Sequence, residues 1–161
     1  MKLLSKTVFK LVVVVIFTAI SVNGFSQCKN FTKKVGFPAL KPYIHNGQLT
    51  SAKFVPGDEA EIEMTFNGGN DYRLLICSQE VIGEVELKIL DKTRKVLYTS
   101  TPGDENPHWD FRVKTTQQLI VQVKVAEMDK ASNNMVPSGC VSILTGFRDS
   151  SVHEKMLKLS H

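Results

Sequence analysis

The sequence beyond residue 26 predicts an all-β fold, an antiparallel β-sandwich or jelly roll of about 7–8 strands. Apolar and polar residues alternate through most segments after residue 58, as they do in strands with one buried face. Segments rich in glycine, proline, asparagine or aspartate separate these runs, and no long apolar repeat of helical period lies between them. Short strands at this spacing favour a sandwich over a parallel α/β sheet.

The individual strands follow from this alternation. Residues 59–66 alternate acidic or polar with apolar side chains, which predicts a strand with one solvated face. Residues 67–70 read Asn-Gly-Gly-Asn and predict a hairpin, because glycine and asparagine tolerate the positive φ of tight turns. The next strand, 72–77, is apolar on both faces and is expected to be central. Further strands are predicted at 84–89, 96–98, 109–113, 119–125 and 140–147, with a possible additional one near 49–54.

The two flanks of the sandwich are expected to be less regular. Residues 31–43 contain Gly36, Pro38 and Pro42, which favours a segment that wraps the sandwich over a helix. The last residues, 150–161, form a short tail with a weak helical pattern. The predicted domain therefore spans residues 27–149.

The first 26 residues have the features of an export signal. Lys2, Lys6 and Lys10 give a basic start, and the apolar run 11–22 is shorter than the roughly 20 residues of a membrane-spanning helix. Gly24 and Ser26 are small residues at the −3 and −1 positions of a cleavage site after Ser26. We therefore expect a secreted or periplasmic protein with no membrane span after processing.

Removal of this signal nearly neutralises the chain. The whole sequence has 20 Lys and Arg against 16 Asp and Glu, and the signal holds three of the lysines and no acid, which leaves 17 against 16. A near-neutral domain gives no electrostatic reason to expect binding to nucleic acid.

Three cysteines, Cys28, Cys77 and Cys140, remain in an oxidising compartment, where one disulfide and one spare thiol are expected. We predict a Cys77–Cys140 bond, because Cys77 ends one strong strand and Cys140 opens another. A bond from Cys28 to Cys77 or to Cys140, which would tie the N-terminal segment onto the sandwich, stays open as an alternative. Acylation of Cys28 is disfavoured, because the preceding Gln27 is not small.

The sequence contains no recognisable catalytic motif. Its four histidines lack zinc-ligand spacing, and neither a nucleophile elbow nor a phosphate-binding loop occurs, so we expect no metal and no cofactor. His108 and Asp110 lie two residues apart on one face of a predicted strand and are the best candidates for an acid–base pair. Ordinary solvated side chains show the same spacing, so the sequence favours a protein that is not an enzyme.

Exposed aromatic rings are the other candidate binding residues, since β-sandwiches use them to contact sugars and peptides. Tyr43, Tyr98 and Trp109 are the possible ligand contacts. Trp109 shares an apolar face with Phe111 and Val113, which favours core packing for that ring.

The order of several segments resembles known proteins over residues 43–148. "YIHNGQL", "PGDEAEIEMTFNGGNDYRLLIC", "VLY", "HWDF", "TTQQLIVQV" and "GCVSILTGF" resemble small exported bacterial β-sandwich proteins of unassigned function. More remotely, the plan resembles pre-peptidase C-terminal and GOLD-type accessory modules. The shared motifs are strand ends and turns, so the resemblance implies a fold and an accessory or interaction role, without catalytic residues.

Together these observations predict a non-catalytic secreted or periplasmic β-sandwich that binds an envelope or extracellular protein or a glycan. A structural protein that assembles through an edge strand or through Cys28 is the first alternative. A small hydrolase that uses His108 and Asp110 is the second.

Overall fold

The computed structural model describes residues 24–104, 107–128 and 136–151, with side chains from Cys28 onward. Most of the predicted signal, the tail from residue 152 and the middle of the last long loop lie outside these ranges. The elements within them are α1 (Gly24–Ala39), β1 (Ile44–Phe54), β2 (Glu59–Phe66), β3 (Asn70–Ser78), a 3₁₀ turn (Glu80–Ile82), β4 (Val85–Leu90), β5 (Val96–Thr99), β6 (His108–Val113), β7 (Gln117–Val125) and β8 (Gly139–Asp149). None of the described helices is long and apolar enough to cross a bilayer.

The strands form an antiparallel β-sandwich, as the alternation predicts. Sheet A has the order β1-β8-β3-β6, and sheet B has the order β2-β7-β4-β5. The possible additional strand near residue 49 is real and is the second half of β1. Strand β3 is central and buried on both faces, which confirms the interpretation of its two-sided apolar sequence.

The expected hairpin at residues 67–70 is wrong, because the two strands that this turn joins belong to different sheets. Phe66 at the end of β2 meets Tyr72 of β3 across the sandwich, with ring centroids 5.1 Å apart in an edge-to-face arrangement. The Tyr72 hydroxyl oxygen accepts a hydrogen bond from the Asn67 backbone N–H at 2.9 Å. Gly69 adopts a positive φ of 82° in this turn. The turn therefore has the glycine chemistry of a hairpin, but the large inward-facing rings at both ends draw its strands onto opposite layers.

The main core lies between the sheets and consists of the inward-facing residues of the alternating strands. Tyr72 is buried there as expected, and Trp109 is half-buried against its rim. The most deeply buried members include Phe66, Leu74, Ile76, Leu87, Leu119, Val121 and Val125. A second apolar cluster of Leu40, Leu75, Cys77 and Leu144 lies on the outer face of sheet A.

Helix α1 covers this second cluster, so the prediction of an irregular wrapping segment is wrong. Pro38 lies in the last turn of α1, where its missing N–H costs a single hydrogen bond just before the helix ends. Gly36 faces the sheet, and a Cβ at this position would lie 2.8 Å from Leu144 Cδ1 and 3.2 Å from Cys77 Sγ. This glycine is therefore a site of close helix–sheet approach and not a helix breaker.

The spacing of α1 matches that of β8 along their contact. Four helical residues advance about 6.0 Å and two strand residues about 6.7 Å, so every fourth residue of the N-terminal segment can meet every second residue of β8. The contacts that follow this spacing are Cys28 with Cys140, Thr32 with Ser142, Gly36 with Leu144, and Leu40 with Gly146.

The disulfide joins Cys28 to Cys140, with a Cα–Cα distance of 5.3 Å, so the predicted Cys77–Cys140 pairing is wrong. Cys77 is a free and fully buried thiol that lies opposite Ser142, whereas α1 places Cys28 directly over Cys140. Burial raises the pKa of the Cys77 thiol to about 11, which keeps it protonated. Because Cys28 is used within the chain, neither its acylation nor assembly through an intermolecular Cys28 bond fits this structure.

A variant that lacks the disulfide, with Cys28→Ser and Cys140→Ser together, is expected to lose about 4 kcal/mol of unfolding free energy. The bond links residues 112 apart in sequence, and opening so long a loop raises the entropy of the unfolded chain. Urea denaturation would measure the loss, with Cys77→Ala as the control at about 1 kcal/mol. A large loss in Cys77→Ala, together with little effect in the double variant, would contradict the assigned bond.

A substitution at Thr145 is expected to have the opposite effect and to stabilise the fold. Its side chain is fully buried between the sheets, and its hydroxyl has no hydrogen-bond partner within the described residues. Thr145→Val is expected to raise the free energy of unfolding by about 1 kcal/mol, because valine keeps the shape and removes an unsatisfied polar group. The matched control is Thr32→Val, which should instead destabilise the fold, since the Thr32 hydroxyl oxygen lies 2.6 Å from Ser142 Oγ. Equal destabilisation of both variants by thermal melting would refute this interpretation.

Candidate functional site

Tyr43, the first predicted ligand contact, lies at the end of the helix connection and is buried, with 8% of its surface exposed. The guanidinium groups of Arg73 and Arg148 lie 5.0 and 4.6 Å from its ring centroid, in cation–π contacts. Burial, followed by the charge of Asp110, raises the pKa of the Tyr43 phenol. The ring thus packs between two cations, and its role as a ligand contact stays a prediction.

Arg73 connects the end of α1 to the edge of sheet A. Its Nη1 donates hydrogen bonds to the carbonyl oxygens of Ala39 and Lys41, at 3.2 and 3.0 Å. Its Nε and Nη2 donate to the two carboxylate oxygens of Asp110, each at 2.7 Å. Arg73 thus satisfies carbonyl oxygens at the C-terminal end of α1, and its bidentate pair with Asp110 fixes them to β6.

In the candidate acid–base pair of His108 and Asp110, the main partner of the Asp110 carboxylate is therefore Arg73. Both Asp110 oxygens accept hydrogen bonds from Arg73. Partial burial acts to raise the pKa of Asp110, but the hydrogen bond and charge of Arg73 outweigh it and hold that pKa below its usual range. A carboxylate of lowered pKa whose oxygens are both occupied is a weak proton acceptor, so this geometry favours a structural role for Asp110.

A second charged cluster continues along the same face of sheet A. Asp71 is buried and accepts hydrogen bonds from Arg112 Nε at 2.7 Å and from Ser150 Oγ at 2.8 Å. Arg148 Nε lies 3.7 Å from the other Asp71 oxygen. These contacts fix the end of β8 to β3 and β6.

Tyr98 and Trp109, the other two predicted contacts, do come together. Their ring centroids are 5.5 Å apart with an interplanar angle of 14°, and Trp109 stacks in turn on Phe111 at 4.1 Å. The Tyr98 hydroxyl donates to the carbonyl oxygen of His108 at 2.8 Å. Because the ring faces cover one another, the stack closes the sandwich between β5 and β6 and does not form an open aromatic platform.

The three longest connections between the described strands, 79–84, 100–107 and 126–138, join strand ends that lie at one end of the sandwich. The pairing of the strands places residues 55–58, 79–84, 100–104, 126–128 and 136–138 at this end. The connections 67–69, 91–95 and 114–116 lie at the other end. Long loops on a rigid scaffold are a common place for binding residues.

Four of the eight large apolar side chains that are exposed within the described residues lie near this end, and the other four are Phe37, Ile44, Val96 and Leu97. Val81, Met128 and Val136 are 52%, 48% and 59% exposed, and Val35 of α1 is exposed beside them. A Cβ on Gly83 would lie 3.2 Å from Met128 Sδ, and one on Gly139 would lie 3.0 Å from Val81 Cγ1, which places these residues around the same loops. We call the four apolar residues and the grooves beside them the loop-end surface.

Two adjoining grooves of about 300 and 320 Å³ belong to this surface and share Glu84, Val85 and Gly103. Glu80 and Asp104 line the second groove, and Glu86 lines the first. Within the described residues, Lys124 is the single basic side chain that lines either groove. The loop-end surface therefore combines exposed aliphatic side chains with a mainly acidic rim.

Local hydrogen bonds hold the first groove in shape. The Ser100 hydroxyl accepts from the Leu87 backbone N–H at 2.9 Å, and the Ser100 N–H donates to the Leu87 carbonyl at 2.8 Å. The turn that follows has a hydrogen bond from Asp104 N–H to the Thr101 carbonyl at 3.3 Å, and Gly103 has a φ of 79°. Positive φ at this position suits glycine, so the Pro102–Gly103 pair fixes the turn beside Glu84.

No group of three or more His, Cys, Asp or Glu side chains within the described ranges is arranged to hold a metal ion.

Comparison with known proteins gives distant structural neighbours. No protein-family model matches the chain, and no curated protein matches it either. Its fold is similar to that of PliG from Aeromonas hydrophila, a periplasmic inhibitor of g-type lysozyme, with a TM-score of 0.44 and 11% identity over 63% of this chain and 85% of that one. It is also similar to the pre-peptidase C-terminal domain of a Bacillus anthracis collagenase, with a TM-score of 0.46 and 10% identity over 63% and 89%. The second is a module of the kind that the sequence resembles, but both likenesses are too distant to carry a function to this chain.

The pairing of Asp110 with Arg73 predicts a specific pH dependence. Since the pKa of Asp110 is lowered by folding, its contribution is present above the unfolded value of about 4 and is lost as pH falls through the folded value. Asp110→Asn should cost about 1 kcal/mol at neutral pH and almost nothing near pH 2. Urea midpoints at both pH values would measure this, with Glu63→Gln on exposed β2 as the control that changes little at either. A constant deficit for Asp110→Asn at both pH values would exclude the charge pair as its cause.

Proposed function

We propose that this protein is a non-catalytic binding module outside the cytoplasm, and that its loop-end surface contacts a partner protein at the cell envelope. The exposed apolar residues Val81, Met128 and Val136 beside two acidic grooves are the observation on which the proposal rests. Apolar patches rimmed by polar residues are typical of protein-binding surfaces. The predicted export signal and the Cys28–Cys140 bond support an oxidising compartment.

A protein partner fits this surface better than a glycan. Glycan sites commonly present an open aromatic face, whereas Tyr43 is packed between arginines and the rings of Tyr98 and Trp109 cover each other. The loop-end surface instead offers flexible aliphatic contacts and carboxylates such as Glu84. These groups match a surface that presents apolar side chains together with Lys or Arg.

Site-specific photo-crosslinking would test the location of the contact. A photoreactive amino acid at Met128 is expected to crosslink one envelope protein in extracts, because Met128 is 48% exposed and lies against Gly83, which lines the second groove. The matched control is Leu97, which is similarly exposed but lies on β5. Unlabelled protein should compete, and the Glu84→Lys variant should compete at least tenfold less well.

Two results would count against this proposal. Equal crosslinking from Met128 and Leu97 would show that the loop end is not the preferred contact. Glycan-array binding that survives Glu84→Lys, with no protein crosslink at Met128, would favour a glycan partner at another surface.

A further inference from the structure

The free edge of β1 is a second surface with unused binding capacity. Within the described residues, β1 pairs with β8 alone and is an outer strand of sheet A. Its register with β8 shifts between His45 and Leu49 but is regular from Leu49 to Phe54. This stretch presents backbone N–H and C=O groups outward, as every edge strand does.

An apolar groove of about 200 Å³ lies directly beside this stretch, between β1 and β2. It exists because the residues that face inward near the two edges, Thr50 and Ala52 on β1 and Ala60 on β2, are small. The half-buried side chains of Phe54, Ile62 and Ile143 and the buried Val123 and Val141 therefore line an open slot in place of a closed core rim.

The other three sheet edges are better protected than β1. Glu59, Glu61 and Glu63 place charges along β2. Strand β5 is short and its register with β4 is irregular. Strand β6 is linked to β5 by the hydrogen bond from Tyr98 to His108. Charges, short length and irregularity are the usual devices that block strand addition, and the regular half of β1 has only Lys53 among them.

We propose that the free edge of β1 binds an extended peptide segment of a partner protein as an added strand. Main-chain hydrogen bonds to residues 49–54 supply the affinity, and one aliphatic side chain of the peptide fills the groove over Ala52. This site is separate from the loop-end surface and does not depend on it.

The size of the site favours a peptide over a second copy of the chain. The regular stretch 49–54 is roughly 20 Å long, and the two sheet layers with their side chains are roughly 20 Å deep, which gives about 400 Å². A stable dimer buries about 800 Å² per partner, twice this amount. Glu59, Glu61 and Glu63 lie along β2 beside the groove, and Arg94 neutralises Glu61 alone, so the peptide should have Lys rather than Asp or Glu at its other positions.

The test uses the acetylated and amidated peptide Lys-Thr-Lys-Ile-Lys-Thr-Lys, titrated into the ¹⁵N-labelled protein and followed by NMR. Binding is expected to shift amide signals of residues 49–54 and 60–62. Ala52→Leu, which fills the groove, should weaken binding at least tenfold while leaving the melting temperature unchanged or higher. Ala52→Lys serves as a second variant with the same expected loss. Thr65→Leu, on the exposed face of β2 away from the groove, should bind as the wild type does.

Control peptides separate strand addition from loose adsorption. Replacement of the central Ile by Asp, or N-methylation of alternate residues, should abolish the shifts, because each removes one of the two recognition elements. The proposal is overturned if the N-methylated peptide binds equally, if shifts fall outside the named residues, or if no peptide binds at 1 mM. A wild-type dimer in sedimentation that Ala52→Leu converts to monomer would overturn it in favour of a second copy.

Discussion

Sheet A is apolar on both faces around β3 and β8, and the structure depends on α1 to cover the outer one. Leu75, Cys77 and Leu144 would otherwise face water. Helix α1 can cover this face over several turns because four helical residues advance nearly as far as two strand residues. Small residues allow the close approach at the points where the two backbones are nearest, and the Cys28–Cys140 bond fixes the start of the contact.

The polar end of the same face follows from this arrangement. Where α1 stops, its last carbonyls need donors, and Arg73 supplies them while Asp110 balances its charge. Tyr43 then fills the space between Arg73 and Arg148. The charged residues that resemble a chemical site in the sequence are thus used to finish a helix, and the surface that we propose for recognition lies at the opposite end.

The sequence predicts the strands well and their partners poorly. Alternation locates seven strands, and the sequence indicates the second half of β1 as a possible eighth, because burial of one face is a local property of each strand. It does not show that β2 and β3 lie in different sheets, since that choice depends on how Phe66 and Tyr72 pack across the core. The helix is missed for a similar reason. Gly36 and Pro38 weaken a helix in isolation, but tertiary contacts on its inner face outweigh this preference.

The predicted site residues show the same limit. Tyr98 and Trp109 are indeed neighbours, yet the sequence gives no sign that their rings stack on each other. The loop-end surface is not evident from the sequence, because segments such as 100–107 and 126–138 show only the composition of loops. Their significance lies in their convergence at one end, which needs the strand order. The length of the connections 79–84, 100–107 and 126–138 is the feature of the sequence that marks them.

The central place of β8 has a consequence for the order in which this fold can form. β8 pairs with both β1 and β3, and it holds α1 through Cys140, yet it follows all the other described strands in the sequence. Sheet A therefore cannot close until β8 is present. The bond between Cys28 and Cys140, and the contact of Leu40 with Gly146, both join α1 to residues more than a hundred positions later in the chain. Completion of sheet A is therefore a late step of folding that depends on contacts between residues far apart in the sequence.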